Sequence, residues 1–276
     1  MTITGETRLA AVIGSPIRHS LSPAIYNAAF ASCGLDWAFV ALEVPEREAV
    51  HALTGMRALG LEGLSVTMPH KADVARAVDR LTPEARTLNA VNCVVREPDG
   101  TLTGHNTDAA GFMDALRADY GFDPMGWRVV VIGAGGAARS VVLGLTEAGV
   151  SEVVVVNRDR MRAKEASRLA GPIGRVGDPS EVAYADLVVN ATPLGMLTRS
   201  DPLPIDPEIL HAGQVVVDLV YSPRETRLLY EARGRGARAI EGIGMLVHQA
   251  AHQFSLWTGR PAPVNVMRAA AEGAAQ

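Results

Sequence analysis

The sequence contains only two cysteines in 276 residues, few aromatic side chains (5%) and a net charge of just −4. Cys33 and Cys93 follow no metal-binding or disulfide spacing, so we expect two reduced thiols in the core. So small a charge gives no sign of the basic surface that binds nucleic acid or an anionic membrane. No apolar run approaches the roughly 18 residues of a membrane-spanning helix, and the first residues do not resemble a signal peptide. We therefore predict a cytoplasmic globular protein with neither nucleic-acid nor membrane partners.

The most informative stretch is a glycine-rich turn that follows a short apolar run, in the sequence RVVVIGAGGAARS at residues 128–140. The apolar run suits a buried parallel strand and is too short for a helix. The spacing from Gly133 through Gly135 to Ala138 fits the G-x-G-x-x-G/A fingerprint of dinucleotide-binding proteins. Backbone N–H groups and the positive end of a helix dipole would meet there, which suits a pyrophosphate. The predicted cofactor-binding residues of this turn are Gly133, Gly135, Gly136 and Ala137.

Strand and helix signals alternate along the whole chain, so the predicted fold class is α/β. Between residues 129 and 241, short apolar strands are joined by helical crossovers, which is typical of a doubly wound Rossmann-type sheet. Two final helices, 245–257 and 263–274, follow that sheet and are expected to pack back on the first domain. We predict an N-terminal α/β substrate-binding domain, 1–108, completed by 241–276, and a dinucleotide-binding domain, 109–240. The active site is expected in the cleft between them.

Two serines flank the expected start of the first helix, in the sequence His19-Ser20-Leu21-Ser22-Pro23. Ser22 followed by proline is typical of an N-cap with proline at the first helical position. Two hydroxyl donors beside a helix N-terminus can also bind a carboxylate without a formal positive charge. The residues alone favour the simpler interpretation, in which Ser22 caps the helix and Ser20 belongs to a turn.

A lysine and a carboxylate stand at element ends where open α/β folds place ligands. Lys71 follows a strand and a proline turn, and Asp108 begins the helix expected to bridge the two domains. If they converge, they can exchange a proton with a substrate hydroxyl. Each alone is more simply interpreted as a solvated surface charge.

Taken together, seven segments in order resemble the shikimate dehydrogenase family over nearly the whole chain. They read IGSPIRHSLSP from residue 13, SVTMPHK from 65, AVN from 90, GHNTD from 104, the glycine turn, NATPLGM from 190 and MLVHQA from 245. The resemblance implies an NADP-dependent dehydrogenase acting on a CH–OH group, which interconverts shikimate and 3-dehydroshikimate. That reaction belongs to the chorismate pathway of aromatic amino acid biosynthesis.

The resemblance also implies residue roles. Residues matching Ser20 and Ser22 hold the substrate carboxylate, with Tyr221 near it, and Lys71 and Asp108 match the catalytic pair. The positions that match ring-hydroxyl ligands are Thr67, Lys71, Asn92, Asp108 and Gln249. The positions expected at the cofactor, besides the glycine turn, are Asn157, Arg158, Asp159, Thr192 and Met245. For Met245, ordinary helix packing explains the residue equally well.

The chain departs from the family pattern at several positions. The family usually has asparagine at Ser65, histidine at Tyr26 and threonine at Cys93, so the preference between shikimate and quinate stays open. Asp159 stands where NADP-using members have threonine after Asn-Arg. It can bind the ribose 2′-hydroxyl of NAD, or it merely caps the next helix, whereas Arg158 and its neighbouring arginines favour a 2′-phosphate. We expect NADP(H), with NAD(H) as the close alternative.

The sequence also has to be weighed against a metal site, a second type of dehydrogenase and a protein without catalytic activity. His248 and His252 lie four residues apart in HQAAH, but glutamine replaces the glutamate of the zinc-protease pattern, so no metal is predicted. An NAD-preferring quinate/shikimate dehydrogenase is the second enzyme candidate. A catalytically inactive dinucleotide-binding regulator is a different class, and the joint presence of Lys71 and Asp108 argues against it. The expected assembly is a monomer or a homodimer.

Overall fold

The computed structural model describes residues 2–196 and 202–275. Its strands are β1 (Arg8–Gly14), β2 (Trp37–Glu43), β3 (Gly63–Val66), β4 (Arg80–Leu81), β5 (Cys93–Arg96), β6 (Leu102–His105), β7 (Arg128–Ile132), β8 (Glu152–Val156), β9 (Gly174–Val176), β10 (Leu187–Asn190), β11 (Val215–Asp218) and β12 (Arg238–Glu241). Its α-helices are α1 (Ser22–Ser32), α2 (Ala49–Leu59), α3 (Lys71–Ala77), α4 (Pro83–Leu88), α5 (Asp108–Asp114), α6 (Gly136–Glu147), α7 (Arg160–Ser167), α8 (Arg227–Gly234), α9 (Ile243–Thr258) and α10 (Val264–Ala274). None of the helices in these ranges has the length and hydropathy needed to cross a bilayer.

The chain forms two compact units. The first combines the residues up to Thr107 with Val247–Ala274, and the second is Asp108–Leu246. The sequence boundaries at 108 and 241 lie close to these bounds, but the assignment of a substrate-binding and a dinucleotide-binding role to the two units stays a prediction.

The sheet of the first unit has the order β2-β1-β3-β5-β6-β4. Its first three strands are parallel, whereas β5 pairs antiparallel with both β3 and β6. The turn residues Pro98-Asp99-Gly100 predict a hairpin between 93–96 and 101–104, and this hairpin is present as β5 and β6. The core on one face combines Ile13, Leu64 and Val66 with residues of α2 and α3. The sheet places the C-terminal ends of β1 and β3, and the loops that follow them, side by side.

The second unit is built on a fully parallel sheet of order β12-β11-β10-β7-β8-β9. The runs of valine in its central strands are completely buried, as expected for strands covered on both faces. The order of strands reverses between β7 and β10, which is the arrangement predicted from the alternating pattern. In such sheets, ligands bind where the order reverses, at the carboxyl ends of the strands.

The structure corrects several predicted elements. Ser22 is not an N-cap: it is the first residue of α1, Leu21 occupies the cap position, and no side chain of the cap residue bonds the helix. From the sequence, Pro45 is expected to open a helix that runs to about Leu59, but α2 begins only at Ala49, because residues 45–48 close a turn. The run from Thr107 to Tyr120, rich in alanine and leucine, predicts one continuous helix, but the structure has an α-helix from Asp108 to Asp114 followed by a π-helical turn.

Three short elements, β4, β9 and α4, were not predicted from the sequence. Strand β9 is a short edge strand without a clear apolar pattern. Helix α4 begins after Thr82, whose hydroxyl accepts a 3.3 Å hydrogen bond from the N–H of Ala85. A threonine cap followed by Pro83 was a readable signal for that helix.

Candidate active site

The glycine turn of the second unit has the geometry of an anion-binding loop. Gly133 has φ +115°, a backbone conformation that residues with a side chain rarely adopt, and Gly135 is the N-cap of α6. Apart from the residues next to it in the chain, nothing lies within 4 Å of the point where a Cβ at Gly135 would stand. The backbone at the start of a 12-residue helix is therefore open to a ligand, which fits the pyrophosphate of a dinucleotide.

The loop after β10 is held next to this turn by Asn190. The Asn190 Oδ1 atom accepts hydrogen bonds from the N–H and the hydroxyl of Thr192, at 3.1 and 2.7 Å. Because Ile132 and Asn190 are register partners in adjacent strands, the predicted cofactor-binding Thr192 follows the strand that neighbours the glycine turn.

A buried carboxylate that the sequence analysis did not single out anchors the next loop. Asp218 accepts hydrogen bonds from the Asn190 amide (2.9 Å), the Val220 N–H (3.1 Å) and the Thr226 hydroxyl (2.7 Å). Burial nevertheless raises the pKa of Asp218 to about 6. Its position at the end of a buried strand was the signal that could have identified it.

Tyr221 and Met245 lie in the same unit. Tyr221 lies within the loop anchored by Asp218, is half-buried, and its pKa is raised by burial. Met245 packs against the hydrophobic core of the second unit, and its contact with the cofactor stays a prediction.

The end of β8 carries the residues expected at the cofactor's 2′-position. Asp159 caps α7: its Oδ1 atom accepts from the N–H groups of Met161 (2.9 Å) and Arg162 (3.2 Å). The Asn157 amide donates to the backbone oxygen of Asp159 at 2.9 Å, and Arg158 is exposed. The structure therefore gives Asp159 a capping role that needs no cofactor.

In the first unit, the two predicted carboxylate-binding serines stand at the start of α1. Ser20 Oγ accepts a 3.3 Å hydrogen bond from the N–H of Ser22, so Ser20 belongs to a turn that leads into the helix. Ser22 is buried and Ser20 half-buried. The two hydroxyls lie at one helix N-terminus, as the proposed carboxylate site requires.

Thr67 and Lys71 follow β3. The Thr67 N–H donates to the backbone oxygen of Ile13 at 3.0 Å, and a cis Met68–Pro69 peptide leads into α3. Lys71 is the first residue of α3 and is half-buried, and its backbone oxygen accepts from Val91 N–H at 3.0 Å. Asp108 is buried and begins α5 at the first residue of the second unit.

The structure brings Asn92 and Gln249 together through Thr107. Asn92 Oδ1 accepts from Thr107 N–H at 2.8 Å, and the Thr107 hydroxyl lies 3.1 Å from the backbone oxygen of Gln249, to which it donates. Gln253, one turn further along α9, joins the same network and donates to Gln249 Oε1 at 2.8 Å. Thr107 and Gln253 were not predicted as site residues, because only their three-dimensional neighbours reveal them.

Within the residues that the structure describes, no group of three or more histidine, cysteine or acidic side chains is arranged to hold a metal ion. His248 is buried and its Nε2 atom lies 3.4 Å from the Arg268 guanidinium. Cys33 and Cys93 are free thiols, and burial raises the pKa of Cys93.

The sheet order and the glycine turn define a dinucleotide-binding α/β protein joined to a second α/β unit. Family models match in three stretches: the shikimate dehydrogenase substrate binding domain at residues 12–94, shikimate / quinate 5-dehydrogenase at 119–193 and the shikimate 5'-dehydrogenase C-terminal domain at 242–272. A shikimate dehydrogenase (NADP(+)) of Moorella thermoacetica is 46% identical, over 96% of this chain and 92% of its own length. The chain belongs to the shikimate dehydrogenase family.

Two further relatives agree with that assignment. A shikimate dehydrogenase (NADP(+)) of Methanopyrus kandleri is 43% identical, over 98% of this chain and 97% of its own. The crystal structure of shikimate 5-dehydrogenase from Thermus thermophilus in complex with NADP(H) and shikimate has 37% identity and a TM-score of 0.91, covering 97% of this chain and 99% of that one. The predicted family and fold class are confirmed.

Proposed function

We propose that this protein is an NADP-dependent shikimate dehydrogenase that catalyses the reversible reduction of 3-dehydroshikimate to shikimate in aromatic amino acid biosynthesis. The observation that carries the proposal is the buried polar network that joins Asn92, Thr107 and Gln249. Two of these residues stand where the family binds ring hydroxyls, in a chain 46% identical to a named NADP(+)-dependent relative. Thr107 holds the Asn92 amide and Gln253 holds the Gln249 amide, and amides fixed in this way offer directed hydrogen bonds to a polyhydroxylated ring.

The proposed substrate ligands have two tasks. Ser20 and Ser22 bind the carboxylate at the N-terminus of α1, where hydroxyl donors and the helix dipole favour a negative charge. Tyr221 adds a phenol group on the carboxylate side, and burial keeps this phenol protonated by raising its pKa. The proposed ring-hydroxyl ligands are Thr67, Lys71, Asn92, Asp108 and Gln249.

Lys71 and Asp108 are the proposed proton-transfer pair. When bound, the nicotinamide supplies the hydride for reduction or accepts it for oxidation. In the reduction, the Lys71 ammonium donates a proton to the oxygen that becomes the hydroxyl and stabilises its developing negative charge. Asp108 lies next to the same hydroxyl in this proposal and orients both the lysine and the substrate.

The proposed dinucleotide site is the glycine turn and the strand ends beside it. The N–H groups at the start of α6 bind the pyrophosphate, and Arg158 pairs with the 2′-phosphate of NADP(H). Asp159 Oδ1 caps α7 and its Oδ2 lies 3.6 Å from Arg162 Nε, so this carboxylate already has partners within the protein. This favours NADP(H) over NAD(H). The remaining proposed cofactor contacts are those of Asn157, Thr192 and Met245.

The test is a matrix of four assays: shikimate and quinate, each with NADP+ and NAD+. We expect the highest kcat/KM for shikimate with NADP+. A higher value for quinate with NAD+ would replace the proposal by the quinate dehydrogenase alternative. Tight NADPH binding without turnover of either acid would instead indicate a regulator. We also infer a cytoplasmic location. The assembly is a monomer or a homodimer, and the molar mass measured by light scattering distinguishes the two.

A further inference from the structure

A single buried glutamine organises the polar network of the first unit. Gln253 lies on α9, is 1% exposed, and follows Gln249 by one helical turn. Its side chain contacts α1, β3 and the start of β5 through hydrogen bonds with Tyr26, Ser65 and Asn92. The inference that follows rests on the proposed function, because it concerns how Gln249 recognises the substrate.

The orientation of the Gln253 amide is fixed by its neighbours. Its Nε2 atom lies 3.2 Å from the backbone oxygen of Asn92, which can only accept a hydrogen bond. The nitrogen must therefore face Asn92, and the oxygen must face the opposite side. There, Oε1 accepts from the Tyr26 hydroxyl at 2.8 Å and from the Ser65 hydroxyl.

Both hydroxyls are suited to act as donors at this place. Tyr26 and Ser65 are buried, and burial raises the pKa of Tyr26 well above its usual value, so its phenol keeps its proton. The ring of Tyr26 is also held in position, since it stacks on Phe39 with a centroid distance of 4.3 Å. Two buried donors therefore hold Gln253 Oε1.

The fixed nitrogen of Gln253 then determines how Gln249 is oriented. Gln253 Nε2 donates to Gln249 Oε1 at 2.8 Å. Because a donor can be met only by an acceptor, the amide oxygen of Gln249 must face Gln253. The amide nitrogen of Gln249 points the other way along the same planar group.

We propose that Gln253 is a positioning residue for substrate recognition: held by Tyr26 and Ser65, it binds the amide oxygen of Gln249 and so makes Gln249 a hydrogen-bond donor to an oxygen of the substrate ring. These two hydroxyls stand where the family usually has histidine and asparagine. In this chain, therefore, the unusual residues at 26 and 65 act on the substrate through two successive amides.

The experiment is a double-mutant cycle on the shikimate KM, with NADP+ saturating. Gln253→Met keeps the side-chain volume but removes the amide, and we expect a rise of about tenfold in KM, the scale of one lost directed hydrogen bond. Gln249→Ala raises KM by itself. Adding Gln253→Met to Gln249→Ala should change KM less than twofold, because Gln253 acts on the substrate only through Gln249.

A matched control separates positioning from loss of stability. Gln214 is another buried glutamine, whose Nε2 atom donates to the backbone oxygens of Val182 (2.7 Å) and Ala185 (3.0 Å) in the second unit. Gln214→Met should lower Tm as Gln253→Met does and leave the shikimate KM unchanged. An equal rise in KM in both variants would overturn the inference.

A second variant has a signature that a structural role would not produce. Gln253→Glu keeps an acceptor for Tyr26 and Ser65 but, when ionised, offers no donor to Gln249. Burial raises the pKa of such a carboxyl group, and its protonated form regains a donor. We expect its KM defect to shrink as the pH falls, relative to wild type.

The outcomes are distinguishable. If the wild-type protein does not oxidise shikimate, the proposed function fails and the inference fails with it. If wild type is active but Gln253→Met has the same effect with and without Gln249, the inference alone fails. A KM defect of Gln253→Glu that does not depend on pH would also overturn it.

Discussion

The backbone oxygen of Ala191 lies 2.8 Å from the point where a side chain at Gly133 would place its Cβ. Gly133 follows β7 and Ala191 follows β10, so the close approach joins the two strand ends at the point where the sheet order reverses. Glycine is needed here for two reasons, the positive φ of +115° and the lack of space. Two residues further on, Gly135 has neither restriction.

This contrast predicts different effects of alanine at the two glycines. Gly135→Ala should lower the free energy of unfolding by no more than about 1 kcal/mol, the cost of alanine at an N-cap. It should still raise the Kd for NADPH at least about tenfold, because the methyl group occupies the space through which a pyrophosphate approaches the backbone. Fluorescence titration and urea unfolding measure the two quantities.

Gly133→Ala is the comparison variant. It should lose about 1–3 kcal/mol of stability from backbone strain, in addition to any effect on binding. Normal NADPH affinity in Gly135→Ala would contradict the placement of the pyrophosphate at this turn.

Lys71→Ala should lower kcat for shikimate about 100-fold or more, the usual scale for loss of an acid–base group. The Kd for NADPH should stay within about twofold of wild type, because the lysine is assigned to the substrate. The chain's other lysine, Lys164, is exposed on α7 and provides the control: Lys164→Ala should retain full activity. A near-normal kcat in Lys71→Ala would remove the proposed role.

Much of the fold could be predicted because its signals are local. The valine runs of β7 and β8 and the glycine turn between strand and helix predict a parallel sheet without knowledge of any partner. Element ends were harder, since they depend on single hydrogen bonds. Leu21 rather than Ser22 occupies the cap of α1, and no apolar pattern marks this shift by one residue.

The site could be predicted only where a residue type reveals its own chemistry. Lys71 and Gln249 lie in sequence segments that resemble the family, so they could be recognised as candidates, although their roles stay predictions. Gln253 and Asp218 had no such mark, because their importance comes from neighbours that are distant in sequence. Gln253 lies 161 positions from the Asn92 oxygen that orients it.

Arg158 and Asp159, which follow β8, are expected to determine the preference between NADP+ and NAD+. Arg158→Ala should raise the KM for NADP+ about tenfold or more and change the KM for NAD+ little, since only NADP+ carries the 2′-phosphate. Asp159→Asn keeps an oxygen that can cap α7, so it should retain both the helix and the preference for NADP+. If the ratio of kcat/KM with NADP+ to kcat/KM with NAD+ differed clearly between Asp159→Asn and wild type, the carboxylate itself would select the cofactor.

The last prediction concerns Asp218. Its pKa of about 6 lies above the ordinary value of 3.8, because burial disfavours the charged form more than its three hydrogen bonds favour it. The folded state therefore binds more protons than the unfolded state between these two values. The stability that this group contributes is fully present below pH 3.8 and is lost as the pH rises through about 6.

Asp218→Asn keeps the shape of the side chain and removes this titration. We expect wild type to lose stability relative to the variant as the pH rises from about 4 to about 7, by an amount up to about 3 kcal/mol. Urea unfolding of both proteins across this range measures the difference, and the values at the acidic end serve as the internal reference because the carboxyl group is then neutral in the folded protein. If wild type instead gained stability relative to the variant with rising pH, the ionised carboxylate would be the favoured form in the fold. The hydrogen bonds from Asn190, Val220 and Thr226 would then outweigh its burial.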